Sequence, residues 1–266
     1  MFRVVCRPFG IRVLVGAALL GASLSTLADD DDDDHRLRAV PFAFVGTAAQ
    51  CGIAGSNIVT SAWLEGMGLP DNGGPNTTLL NFANNPNKRD PHLGLLLSKN
   101  GPSVQDCSSA GAEIRGVRGM LVTPTFELGF DYRNGSHCSG GGPRFNVSYT
   151  TPTGGDGFSF VGGCGNDSTP TQAPQDPTEW SRVRFETSNP AESFPIIPPG
   201  SRIQRIQLIS DEGTDTPTLA RPSGDAGNPA GIGLSVVDNI YINGRLITRG
   251  HGIEPKPDAR GERDDD

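Results

Sequence analysis

The sequence predicts an all-β protein, an antiparallel β-sandwich or jelly roll stapled by disulfides, and three observations carry that expectation. Apolar and polar residues alternate strictly in several short stretches, the period of a half-buried strand. Punctuation is dense: 36 Gly and 22 Pro among 266 residues leave little room for long helices. No stretch repeats apolar residues at the three-and-four spacing of an amphipathic helix. A parallel α/β sheet would need crossover helices, and there are none to supply them.

Short strand candidates come first along the chain: 41–45, 57–64, 77–82, 93–98 and 114–122. From 125 to 132 the alternation is complete. Phe126, Leu128, Phe130 and Tyr132 fall on one face, with Glu127, Gly129 and Asp131 on the other. Phe145, Val147 and Tyr149 repeat the pattern, and Phe158 and Phe160 do so after a Gly-rich turn. Ser181, Val183 and Phe185 alternate with Trp180, Arg182, Arg184 and Glu186. Ile206 and Leu208 follow with Ile203 out of phase, which predicts a bulge near Gln204–Arg205. Leu234 to Ile242 runs into Asn243–Gly244 and returns through Arg245–Ile247, the signature of a type I′ hairpin. These strands make one domain over residues 37–250, with 165–177 and 213–229 as long loops; a split near Thr171 is the alternative.

The ends are expected to lie outside that domain. Residues 1–28 read as a secretory signal peptide: Arg3, Arg7 and Arg12, a short apolar core from Val13 to Ala22, and Ala28 at the cleavage position. The apolar run is shorter than the ~20 residues a membrane span requires. Residues 29–36 hold six consecutive aspartates and form an acidic spacer; 251–266 form a disordered acidic tail. The chain is therefore expected to be secreted, periplasmic or extracellular, with no transmembrane span. Its formal charge of −8 excludes nucleic acid as partner, since that binding rests on Lys and Arg meeting phosphates.

Removing the leader takes Cys6 with it and leaves Cys51, Cys107, Cys138 and Cys164. An even count in an exported chain predicts two disulfides. Cys51–Cys107 with Cys138–Cys164 is favoured among three pairings, because the second pair closes a short loop around one strand-turn-strand stretch. Zinc is the rival, but no Cys-x-x-Cys spacing occurs and the four histidines are scattered.

Two further groups of residues resemble known proteins. Leu95–Gly101, Gly129–Cys138 and Gly142–Val147 resemble a group of exported bacterial β-proteins without an assigned activity. Val236–Gly244 is similar to the last strand of carbohydrate-binding-module-like jelly rolls. The resemblance implies a jelly-roll fold and export. It brings no activity with it.

Chemistry narrows by exclusion. There is no Gly-x-Ser-x-Gly elbow, no phosphate-cradling Gly-x-x-x-x-Gly-Lys and no His-Glu-x-x-His. Paired carboxylates remain, but Glu127 and Asp131 on one extended strand stand ~13 Å apart, too far for a glycosidase pair. A partner such as Glu179 or Glu186 would have to come from elsewhere; otherwise the two acids face solvent or pair with Arg133 and Arg144. Binding features are better defined. Trp180, Arg182, Arg184 and Glu186 share a strand face on which an indole could stack on a sugar while guanidiniums and carboxylate hydrogen-bond it. The competing reading packs Trp180 inside. Asp211, Asp215 and Asp238 are candidate oxygen ligands for a structural calcium ion, although Asp and Gly are also ordinary turn residues; no other cofactor is implied. Three functions follow in order: a non-catalytic sandwich binding a glycan or other cell-surface ligand, a structural or envelope-associated protein, and a carboxylate-based glycoside hydrolase.

Overall fold

A computed structural model describes residues 37–52, 57–70, 92–103, 107–217 and 231–247. The leader, the acidic spacer, the acidic tail and the strand expected at 77–82 lie outside these residues.

Two antiparallel sheets face each other. The first contains β1 (Arg38–Val45), β4 (Ser108–Arg115), β11 (Arg202–Ser210), β6 (Arg144–Thr150), β7 (Asp156–Gly162) and β10 (Ser193–Phe194), in that spatial order. The second runs β2 (Ile58–Leu64), β3 (Gly94–Asn100), β12 (Leu234–Ile242), β5 (Glu127–Arg133), β9 (Trp180–Glu186) and β8 (Thr171–Gln172). The short β13 (Arg245–Ile247) returns along β12. The chain crosses repeatedly between sheets, as in a jelly roll, so neighbours in space come from distant sequence. Among the described residues the single α-helix, α1, is Ala48–Cys51, and no helix is long and apolar enough to cross a membrane.

Inward-facing residues alternate as expected, and the two sheets meet through large apolar side chains. Phe130 of the second sheet touches both Phe145 of the first and its own neighbour Phe185, its ring centroid 5.9 Å from that of Phe145 and 6.0 Å from that of Phe185. All three are fully buried; truncating one to Ala would cost ~3–5 kcal/mol. Trp63 is also buried, and its indole N–H donates to the Ala39 carbonyl at 2.9 Å. One cluster of buried residues runs from Leu37 to Ile247 through both sheets.

Two local expectations hold in detail. The register between β11 and β6 shifts between Ile203 and Arg205, which is the bulge. Asn243 and Gly244 both take positive φ, 45° and 89°, as a type I′ turn demands. Both disulfides are present, Cys51–Cys107 and Cys138–Cys164. The second ties the turn after β5 to the 3₁₀ turn Cys164–Asn166 after β7.

Two expectations fail. The fourth strand occupies 108–115, and 117–122 forms a turn with one isolated bridge, Leu121 to Arg202. The phase of β7 is also opposite to that expected: Ser159 and Val161 face the core, while Phe158 and Phe160 face outward. Ser159 goes inside because its hydroxyl bonds the Ser193 hydroxyl at 3.0 Å and the Pro195 carbonyl at 2.6 Å. That pairing satisfies a polar group that would otherwise be orphaned in the core. The two phenylalanines are displaced onto the surface.

Candidate functional site

The outward phase of β7 completes a groove of about 1170 Å³ on the outer face of the first sheet. Its floor is β4, β11 and β6, and its two walls are β1 and β7. Phe42 and Phe44 stand on one wall, Phe158 and Phe160 on the other. Phe44 is 47% exposed, Phe158 45% and Phe160 41%. Exposed aromatics on both sides of one concavity are uncommon on a surface that binds nothing.

Strand register sets the floor. Val40 lies opposite Glu113, Glu113 opposite Gln207, Gln207 opposite Asn146, Asn146 opposite Phe160, and Phe160 opposite Phe194. A carboxylate, two amides and an aromatic therefore form one belt across the strands. The Asn146 side-chain oxygen is buried without a hydrogen-bond partner, an acceptor left unused in the floor. Phe158 and Phe160 meet edge to face, with centroids 5.0 Å apart at 87°.

Charge is arranged around this belt in pairs. Arg205 donates to Glu113 at 2.7 Å. At the other end, Arg144 grips both oxygens of Asp211 at 2.7 and 2.6 Å and lies over the Phe160 ring, 4.9 Å from its centroid. Behind Asp211, the buried Lys99 ammonium donates to the Asp211 carbonyl at 2.6 Å. Burial pulls the Lys99 pKa down from 10.5, against the pull of Asp211, Asp215 and Glu212.

Glu212 closes the same end. Its carboxylate accepts from the Ser139 hydroxyl and from His137 Nε2 at 3.0 Å. A serine, a histidine and a carboxylate in contact invite a hydrolase reading, but the order is wrong. The carboxylate stands between the other two, whereas a nucleophilic triad needs the imidazole in the middle to take the hydroxyl proton. Ser139 Oγ also accepts from the Gly141 and Gly142 amides at 3.0 and 3.1 Å, so it orders the turn.

The face chosen from the sequence lies on the other sheet. Trp180, Arg182, Arg184 and Glu186 do share the outer face of β9, but most of it is covered. Trp180 is 2% exposed and packs with Leu69, Ala173 and Val236, so its ring cannot serve as a stacking platform. Arg182 forms a two-point pair with the fully buried Asp131, 2.8 Å at each contact. Arg184 reaches 3.5 Å from the same carboxylate and lies over Tyr241 at 4.6 Å. Glu186 remains exposed opposite Glu127.

The carboxylate pair is separated by a cation. Gly129 stands between Glu127 and Asp131, and a Cβ there would collide with Arg184 Cδ at 2.6 Å. Arg184 thus folds over the glycine into the gap, where a substrate would need to sit. The partners suggested for these acids are engaged elsewhere: Arg133 with Glu179 at 3.2 Å, Arg144 with Asp211. Burial raises the Glu127 pKa above 4.5, with Arg184 and a hydrogen bond from Tyr241 opposing it.

The calcium ligands are not assembled. Asp238 lies against the second sheet's outer loop and accepts from the Leu69 amide at 2.7 Å. Asp211 is taken by Arg144, and Asp215 accepts from the Ser103 amide at 2.7 Å. Among the described residues, no three metal-ligating side chains come together. The acidic turn is instead neutralised by Lys99 and Arg144.

The groove was missed because its walls come from β1 and β7, over a hundred residues apart in sequence. The one local signal is the Phe158/Phe160 pair, which alternation alone places in the phase opposite to the one it adopts. Comparison with protein-family models, curated proteins and solved structures gives no match in any of the three. Function must therefore be argued from the groove itself.

Proposed function

We propose that this chain is an exported, non-catalytic β-sandwich that binds a glycan in the groove on the first sheet's outer face. The observation that carries the reading is the pairing of aromatic walls with an amide-and-charge floor. Sugar rings present apolar C–H faces to aromatics and hydroxyls to amides and guanidiniums. A groove open along its length suits a polymer better than a small enclosed ligand. The leader-like N-terminal sequence and the two disulfides support export. The paired state of the acids supports binding over hydrolysis, since each carboxylate lining the groove is already engaged by an arginine, a histidine or a serine.

The test is retention of the intact protein on insoluble polysaccharides and its retardation in gels containing soluble ones. Wild type is expected to be retained on at least one polymer, and Phe158→Ala/Phe160→Ala to lose that retention while melting cooperatively. Equal retention of the double variant, or no retention on any polymer, would overturn the proposal.

A further inference from the structure

We infer that the ligand of this groove is an anionic polysaccharide, whose carboxylate or sulfate group is gripped by Arg115. The inference rests on the glycan reading and adds the chemical class of the sugar.

The argument is a charge account of the groove wall. Each acid that lines it already has a partner within the protein. Glu113 is held by Arg205, Asp211 by Arg144, and Glu212 by His137 and Ser139. Two of the three lining arginines are used in those pairs. The third, Arg115, is exposed at the end of β4, and its guanidinium makes no ion pair or hydrogen bond to any described residue. Among the described residues it is the one charge lining the groove that its own surroundings leave unanswered.

Position sharpens the point. Arg115 stands directly opposite Arg38 across the β1–β4 pair. Arg205 adjoins the Ile206–Ile114 pair on the next strand, level with Arg115. Like charges directly opposite one another destabilise a sheet, and Arg115 meets a guanidinium on each neighbouring strand, Arg38 on β1 and Arg205 on β11. A carboxylate or sulfate placed there would relieve that repulsion and accept the fork of donors a guanidinium offers. The opposite end carries the carboxylates of Asp211, held by Arg144, and Glu212, held by His137 and Ser139, and would repel an anion.

A neutral sugar would leave Arg115 without an acceptor of matching charge. The bulk charge of the chain points the other way: at −8 the protein as a whole repels a polyanion. Retention on an acidic polymer must therefore come from a local site.

The experiment measures affinity of the full chain for polygalacturonate (carboxylate), dextran sulfate (sulfate ester), and neutral dextran and galactan, at low and at moderate salt. Wild type is expected to prefer one acidic polymer and to weaken as salt rises. Arg115→Ala should lose about tenfold or more on that polymer, the size of one charge-assisted contact. Arg115→Lys, which keeps the charge without the fork, should lie between the two. Which acidic polymer is retained separates carboxylate from sulfate. Acidic binding unchanged in Arg115→Ala, at a matched melting temperature, would overturn the inference. Retention on neutral polymers alone would overturn it too and leave the glycan reading standing. Retention on none would overturn both.

Discussion

The ring of Phe42 rests on the backbone of Gly111, its partner across β1 and β4. A Cβ at Gly111 would come within 2.6 Å of Phe42 Cζ and 2.8 Å of the Leu208 carbonyl. Glycine here lets an aromatic of the groove wall lie down over the floor strand. Gly111→Ala is expected to cost ~1–3 kcal/mol through overpacking and to weaken glycan retention by lifting Phe42. Denaturant unfolding gives the first quantity and gel retardation of the folded protein the second; retention at wild-type strength would show that Phe42 is not part of the wall that matters.

Trp180 separates the two sheets functionally. It fills a small apolar cluster with Leu69, Ala173 and Val236, so Trp180→Ala should destabilise by ~3–5 kcal/mol. Affinity per folded molecule should be unchanged, because the groove lies on the other sheet. A loss of affinity in protein that is still fully folded would return the site to β9.

Asp131 and Arg133 make an internal contrast on one strand. Asp131 is fully buried beneath Arg182, Arg184 and Asn239. Asp131→Asn strands buried positive charge and should cost ~3–5 kcal/mol. Arg133 and Glu179 are each about half exposed, and Arg133→Ala should change stability by no more than ~1 kcal/mol. Chemical denaturation of both variants decides; comparable losses would contradict the assignment of Asp131 as a buried counter-ion.

The acidic turn from Asp211 to Asp215 should need no metal. Lys99 and Arg144 already supply its positive charge, leaving no vacancy for calcium among the described ligands. Melting temperature is expected to be the same in chelator and in millimolar calcium. A clear rise with calcium would mean that ligands outside the described residues complete a site.

Glu127 gives a pH dependence with a defined sign. Burial raises its folded pKa above 4.5, so the native state holds the proton more tightly than the unfolded chain does. The stability this contributes is present below pH 4.5 and is lost as pH rises through the folded value. Glu127→Gln stays neutral and should be the more stable protein at pH 7, with the difference shrinking toward pH 4.5. Thermal melts at both pH values check it; a variant less stable at pH 7 would show that the Arg184 contact outweighs burial.

Much of the fold was legible because it is written in local chemistry. The inward face of β5, the Asn243–Gly244 turn and the bulge at Gln204 each depend on a few neighbouring residues. Phase is less local than period. In Phe158-Ser159-Phe160-Val161 hydrophobicity favours the phenylalanines inside, and only the distant Ser193 and Pro195 explain why Ser159 goes there instead. The same limit hid the groove, whose opposing walls become neighbours only through strand order. On β9 the outward face was read correctly, but the loops around Leu69 and Ala173 that bury Trp180 leave no periodic trace.

The groove lies between walls on β1 and β7, so its long axis runs with the floor strands, and the outward positions of one strand recur every ~6.6 Å along it. The belt from Val40 to Phe194 crosses that axis once. A polymer laid in the groove would therefore meet Glu113, Gln207 and Asn146 at a single ring and Arg115, two residues along β4, one step further on. The fold thus acts as a ruler: it would favour an unbranched backbone whose acidic group falls one such step from the ring held by the belt, and a side branch would strike a wall.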